Sequence, residues 1–206
     1  MLINEQNLRI MICRSLREAI GKRRETPKLQ SAQFVQNVAF ALRDEFTMAQ
    51  SKKIEVAVQR VNVAGTGKIA GEWLLDAVVW EYFEENDDRY QKNAARFLKV
   101  IHWAVESESD TSLTGMASDF NKLLAVYSRH YLYLNGVNQK SEDGRKEYQA
   151  RRLATVRRIV ELVAPERLPK DMYFAFWPSP EQIKGHSLWE ENPTTLEQMV
   201  NVTKIA

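Results

Sequence analysis

GEWLLDAVVWEY (71–82) and FLKVIHWAVESES (97–109) decide the fold of this chain. Each is a nearly unbroken apolar run of strand length, the pattern of a strand buried on both faces of a sheet. Each also carries acid where burial should forbid it: Asp76 inside the first, Glu106 and Glu108 at the end of the second. A carboxylate taken out of water without a partner is costly enough that it protonates, pairs with a cation or holds a metal ion. Strand side chains alternate, so Glu72 and Asp76 share one face, and Glu106 and Glu108 share one face of theirs. Side by side, the two strands bring up to four oxygen-bearing side chains together. Hard oxygen ligands of that kind suit Mg²⁺ or Mn²⁺, which keep several waters and need few protein carboxylates.

Outward from these strands the periodicity alternates between helix and strand. Towards the N-terminus, Leu8, Ile12, Leu16 and Ile20 predict a helix over 8–20, ended by Gly21, the basic cluster Lys22, Arg23 and Arg24, and Pro27. A second helix is predicted from an N-cap at Ser31, with Phe34, Val35, Val38, Leu42 and Phe46 on its apolar face. IEVAVQRVNV (54–63) reads as a strand on its β-branched content, and Ala64 to Gly67 as a turn. Towards the C-terminus, 84–95 reads as a connecting loop, and steps of three and four from Leu113 to Tyr127 predict a helix over 112–128. HYLYLN (130–135) is a strand stopping at the turn dipeptide Asn135-Gly136. A long basic helix over 144–163 and the strand DMYFAFWP (171–178) follow. Thr194, three residues ahead of Glu197, has the capping-box spacing of a short last helix. The expectation is an α/β protein with a mixed central β-sheet flanked by α-helices, a single domain over 1–206.

Composition limits function as well as fold. The 206 residues are 44% hydrophobic and 27% charged with 8 Gly and 6 Pro, a globular composition and neither a disordered nor a fibrous one. One cysteine, Cys13, forms no internal disulfide, and His102, His130 and His186 lie too far apart for zinc spacing, so a reducing, cytoplasmic setting is expected. Charged residues interrupt every apolar run near the N-terminus, which argues against an export signal or a membrane span. The net charge of +2 hides a polarity: 71–120 holds 4 Lys/Arg against 11 Asp/Glu, and 121–170 holds 11 against 5. Gly65-Thr66-Gly67-Lys68 lacks the spacing of a phosphate loop, and no Ser-His-Asp arrangement is present.

GEWLLD in one strand, a strand ending AVESE, then a helix containing DFNKLL and the strand HYLYLN resemble the PD-(D/E)xK nuclease superfamily, the restriction-endonuclease-like fold. In that family a helix precedes a strand hairpin. An acid lies on the second strand, an acid-x-lysine motif on the third, and a helix and fourth strand follow. The resemblance covers 31–136 as a nuclease-like core, with 1–30 as a helical extension and 137–206 adding the basic helix, a strand and a tail. It implies that Asp76 is the motif acid of the second strand and Glu106 the first acid of the next motif. Where the family has lysine, this chain has Glu108, with Lys122 on the following helix as a substitute cation. Glu72 and Glu45 are further ligand candidates.

The implied activity is Mg²⁺-dependent hydrolysis of phosphodiester bonds in nucleic acid, with DNA the expected substrate and Glu108 orienting the attacking water. Arg145, Lys146, Arg151, Arg152, Arg157 and Arg158, on or near one face of the basic helix, and Lys22, Arg23 and Arg24 supply phosphate contacts. A homodimer would let one site per chain cut both strands.

Blander readings stand beside these. The acids can be strand-end groups paired with arginine, the basic helix a solvated face with pairs such as Glu147 with Arg151, and His102 a hydrogen-bonded core residue. Trp189, in a polar tail, offers a stacking surface for a base. The alternative to a nuclease is a catalytically inactive protein of the same fold that binds nucleic acid or a protein partner.

Overall fold

The computed structural model of the chain describes residues 2–22, 26–47, 53–58, 74–85, 95–108, 112–180, 182–183, 186–190 and 193–206. Its four long helices each start where a short polar side chain accepts one of the first free backbone N–H groups. Asn4 caps α1 (Glu5–Gly21) through Asn7 N–H at 2.8 Å, and Thr26 caps α2 (Pro27–Phe46) through Leu29 N–H at 3.3 Å. Ser112 caps α3 (Leu113–Ala125) through Gly115 N–H at 3.0 Å, and Ser141 caps α4 (Glu142–Leu162) through Gly144 N–H at 3.2 Å. The second helix therefore starts ahead of the expected cap at Ser31. Pro27, expected as part of the signal that ends the first helix, opens the second, because the N–H that proline lacks has no helical partner at that position anyway.

The strands are β1 (Ile54–Val58), β2 (Ala77–Glu85), β3 (Ala95–Glu108), β4 (His130–Val137), β5 (Asp171–Pro178), β6 (Gln182–Ile183), β7 (His186–Ser187) and β8 (Asn201–Lys204), with α5 (Pro193–Gln198) before the last. Six form one mixed sheet in the order β1-β2-β3-β4-β5-β8, while β6 and β7 make a small separate ribbon. Pairing is antiparallel from β1 to β3, parallel through β4 to β5, and antiparallel again to β8.

Several boundaries differ from expectation. The first strand ends at Val58, and the rest of 54–63 and the turn at 64–67 lie outside the described residues. The second strand starts at Ala77 after a bend at 74–76, so Asp76 precedes the strand instead of interrupting it. Asn135 and Gly136 are paired with Phe176 and Trp177 inside β4, because a parallel neighbour on each side lets the strand run on through a dipeptide that would turn a hairpin. Thr194 lies within α5, whose first residue is Pro193, and so is not the residue ahead of the helix that the capping-box spacing predicts. β8 has no counterpart in the sequence reading: a four-residue edge strand is too short for a periodic signal.

Two parallel connections need crossovers, and α3 and α4 supply them on one face of the sheet. Phe120 of α3 packs against Tyr133, and Tyr148 of α4 against Phe176. The opposite face takes α2, with Phe34 stacked on Trp177 at 4.4 Å and Phe46 edge-on to Trp103. Helix α1 packs on α2 and is tied to the last segment by Arg9, which donates to Val200 O at 2.9 Å and Glu197 O at 3.0 Å. Cys13 is buried in this layer, and burial raises its thiol pKa, so it behaves as an apolar residue. Trp189 is buried too, against Trp177 and with its indole N–H donating to Pro178 O at 2.7 Å. It offers no surface to a base, correcting that expectation. Among the described residues no helix is long and apolar enough to cross a membrane.

Removing the ring that joins α2 to the sheet tests this packing. Phe34→Ala is expected to cost about 3–5 kcal/mol, measured as a lowered urea midpoint by tryptophan fluorescence.

Candidate active site

Ala77 of β2 pairs with Val105 of β3 in antiparallel register, so the residue before the one and the residue after the other come level. Those residues are Asp76 and Glu106. The bend that holds Asp76 is fixed by the Ser107 backbone N–H, which donates to Asp76 Oδ2 at 2.8 Å. Glu106 is 1% exposed, and its carboxyl group shares a side-chain hydrogen bond with Asp76, while no N–H or hydroxyl among the described residues donates to it. Because β3 and β4 run parallel, the chain leaves the end of β3 into α3 and returns across this face. That return brings Lys122, with Nζ 3.9 Å from Glu106 Oε2 and 2.5 Å from Asp119 Oδ1. Asp119 was absent from the sequence reading, although a carboxylate three residues before a candidate lysine on a helix is the spacing that would have revealed it.

Burial raises the pKa of Glu106, and the neighbouring Asp76 carboxylate raises it further, to about 9. Burial also raises the pKa of Asp76, partly offset by the Ser107 N–H and by Lys122. The pair therefore holds a proton at neutral pH, as two carboxyl groups sharing one low-dielectric site do. Burial opposes the charge on Lys122, but the bond to Asp119 and the fields of Glu106 and Asp76 outweigh it and keep the ammonium protonated.

Glu108 lies on the same face of β3 as Glu106, half-buried and level with Asn135 of β4. Glu72 lies outside the described residues. Glu45 bonds to Arg14 of α1, on the helical layer of the opposite face, and does not join the cluster. His102 lies 3.5 Å from Glu81 near the middle of β3, four residues before Glu106, with its pKa lowered by burial and by Arg129. It is mostly buried, as the alternative reading has it, but its Nε2 contact to Glu81 does not form the hydrogen bond that reading expects.

The basic helix is corrected in two respects. Its buried side is Tyr148, Arg152, Val156 and Val160, so Arg152 points inward at 4% exposure instead of meeting solvent. With about 3.6 residues per turn, Lys146 and Arg157 then fall on one flank and Arg151 and Arg158 on the other, not on one face. Lys146 pairs with Glu142 at 2.6 Å, Arg151 with Glu147 at 3.9 Å and Arg158 with Glu161 at 3.4 Å. Arg145 donates to the carbonyls of Gln139 and Lys140. Lys22 is exposed, and Arg23 and Arg24 lie outside the described residues.

Among the described residues no three or more His, Cys, Asp or Glu side chains gather into a metal cage. Two carboxyl groups at neighbouring strand ends, one of them buried with no N–H or hydroxyl donor among the described residues, are instead a donor set for a hard cation that keeps most of its waters. Mg²⁺ and Mn²⁺ fit that description and Zn²⁺ does not. No family model, no curated protein and no solved structure matches the chain.

The buried proton has a consequence for stability. Between the ordinary Glu pKa of 4.5 and about 9, native Glu106 holds a proton that the unfolded chain has lost, so its contribution to stability falls as pH rises through that window. Glu106→Gln keeps the shape without the titration. It is expected to be more stable than wild type by about 1–3 kcal/mol at pH 8, roughly 2–4 °C in Tm per kcal/mol, with the difference closing towards pH 5. Calorimetric scans of both proteins across that range check it.

Proposed function

We propose that the chain is a metal-dependent nuclease that hydrolyses phosphodiester bonds in nucleic acid, with a restriction-endonuclease-like core. The observation that carries the proposal is the buried pair Asp76 and Glu106, brought level at the strand ends with Lys122 beside it. The order helix, strand hairpin, third strand, helix, fourth strand from α2 to β4 supports it. So does the position of the pair at the carboxyl end of parallel β3, the end of an open α/β sheet where ligands usually bind.

Asp76, Glu106 and a backbone carbonyl near Ser107 would hold Mg²⁺ or Mn²⁺. Bound there, the ion lowers the pKa of a coordinated water and offsets charge on the phosphate oxygens. Loading requires the proton on the acidic pair to leave, so metal affinity rises with pH. Lys122, steered by Asp119, neutralises charge as the phosphorus passes through its five-coordinate state, the task the motif lysine performs in the family. Glu108 orients the attacking water and takes its proton. One P–O bond forms and one breaks, and the leaving oxygen takes a proton from solvent.

A second reading, an inactive member of the same fold that binds nucleic acid or a protein, is favoured by Glu108 in the lysine position. The two readings separate on one set of samples. Under the nuclease reading, Mn²⁺ binds the wild type in calorimetry and Mg²⁺ supports cleavage of plasmid or single-stranded DNA. Asp76→Ala and Glu106→Ala lose both, while Lys122→Met keeps metal binding and loses about 10²–10³ in rate. Wild type that binds neither metal nor cuts defeats the nuclease reading.

Nucleic-acid binding without metal is expected to weaken steeply with salt. Log K should fall with log salt at about −0.7 to −0.9 per phosphate neutralised, measured by fluorescence anisotropy in EDTA.

A further inference from the structure

On the face of the sheet that carries Glu106, a cavity of about 400 Å³ opens between the start of α3 and the middle of α4. It is lined by Leu113, Tyr148, Arg151, Arg152, Ala154 and Thr155. The helix that forms one wall is the one that delivers Asp119 and Lys122 to the acidic pair. Met116 of that helix links the two places: its Sδ lies 3.8 Å from Arg152 Nη1, and its carbonyl accepts from the Tyr133 hydroxyl at 3.4 Å. Tyr133 is in turn the register partner of Glu106 on β4.

The lining has two kinds of chemistry. Arg152 is held inward with its guanidinium 4.9 Å from the centre of the Tyr148 ring, so a fixed positive charge stands at the inner wall. Arg151, 71% exposed, stands at the solvent-facing side. Leu113 and Ala154 add aliphatic surface. Two guanidinium groups beside an aromatic and aliphatic wall suit a group that joins an anion to a flat ring. The volume lies at the lower end of the roughly 300–1,000 Å³ of small-ligand sites, which suits a single nucleotide better than a duplex.

We infer that this cavity receives one nucleotide unit of the bound strand, next to the phosphodiester held at Asp76 and Glu106, an inference that rests on nucleic acid being the substrate. The phosphate meets Arg151 and Arg152, and the base lies along Leu113 and the Tyr148 side of the cavity. Lys146 and Arg157, on the other flank of α4, do not line it, so the site is a local arrangement and not the general charge of the helix.

Anisotropy of a labelled single-stranded oligonucleotide with the 206-residue protein in EDTA tests the inference without cleavage. Ala154→Trp fills the cavity from an exposed helix position, and Arg151→Ala removes the outer cation. Each is expected to weaken binding about tenfold, the size of one lost stacking or phosphate contact. Lys170→Ala makes the same charge change next to the start of β5, at the opposite end of the parallel strands, and is expected to weaken binding less than about twofold. Wild type that does not bind, or Ala154→Trp and Arg151→Ala that weaken binding no more than Lys170→Ala, overturns the inference. Mg²⁺-dependent cleavage is scored separately. A protein that binds through the cavity without cutting keeps the inference and loses the hydrolysis, and one that cuts with unchanged affinity in Ala154→Trp does the reverse.

Discussion

The parallel pairing of β3 with β4 is the constraint from which the rest follows. Two parallel neighbours cannot be joined by a tight turn, so the chain must cross a face of the sheet between them. α3 is that crossing. On its other edge β3 pairs antiparallel with β2, which sets the start of β2 beside the end of β3. One end of one strand thus receives a carboxyl group from the bend ahead of β2, keeps one of its own and is covered by a helix carrying a lysine. Moving the β2–β3 register by one residue would turn Asp76 to the opposite face.

Glu106 marks the place where this architecture departs from what stability alone would select. A buried carboxyl group that faces a second acid instead of an N–H or hydroxyl donor adds little to the core around it, and an apolar side chain of similar size there would be expected to cost less. The group persists beside a second acid, its field only partly met by Lys122 at 3.9 Å. Strongly perturbed carboxyl groups of this kind cluster at functional sites. Asp119 belongs to the same balance, since it holds Lys122 where the ammonium can serve the acidic pair.

The basic helix gives a contrasting lesson about charge. Its sequence places the cations on or near one face, yet the apolar residues of α4 and the aromatic ring of Tyr148 draw Arg152 inward and divide the exposed cations between two flanks. An arginine can be buried when its flat guanidinium packs on a ring, so its presence in a polar-looking stretch does not fix its side of the helix. Trp189 shows the opposite case, a polar tail folded back so that an indole is covered and its N–H satisfied by a backbone carbonyl.

The sequence by itself determined the element types, because hydrophobic periodicity is a local property. The strands at β3 and β5, the amphipathic helices and the conflict between acid and burial at Asp76 and Glu106 were all legible from runs of about a dozen residues. Tertiary structure alone decided what those elements do to one another. Strand register made Asp76 and Glu106 neighbours, the crossover supplied Asp119 with Lys122, and flanking parallel strands turned Asn135-Gly136 from a turn into strand. Contacts between residues far apart in the chain depend on which elements pair, and no short window of sequence holds that information.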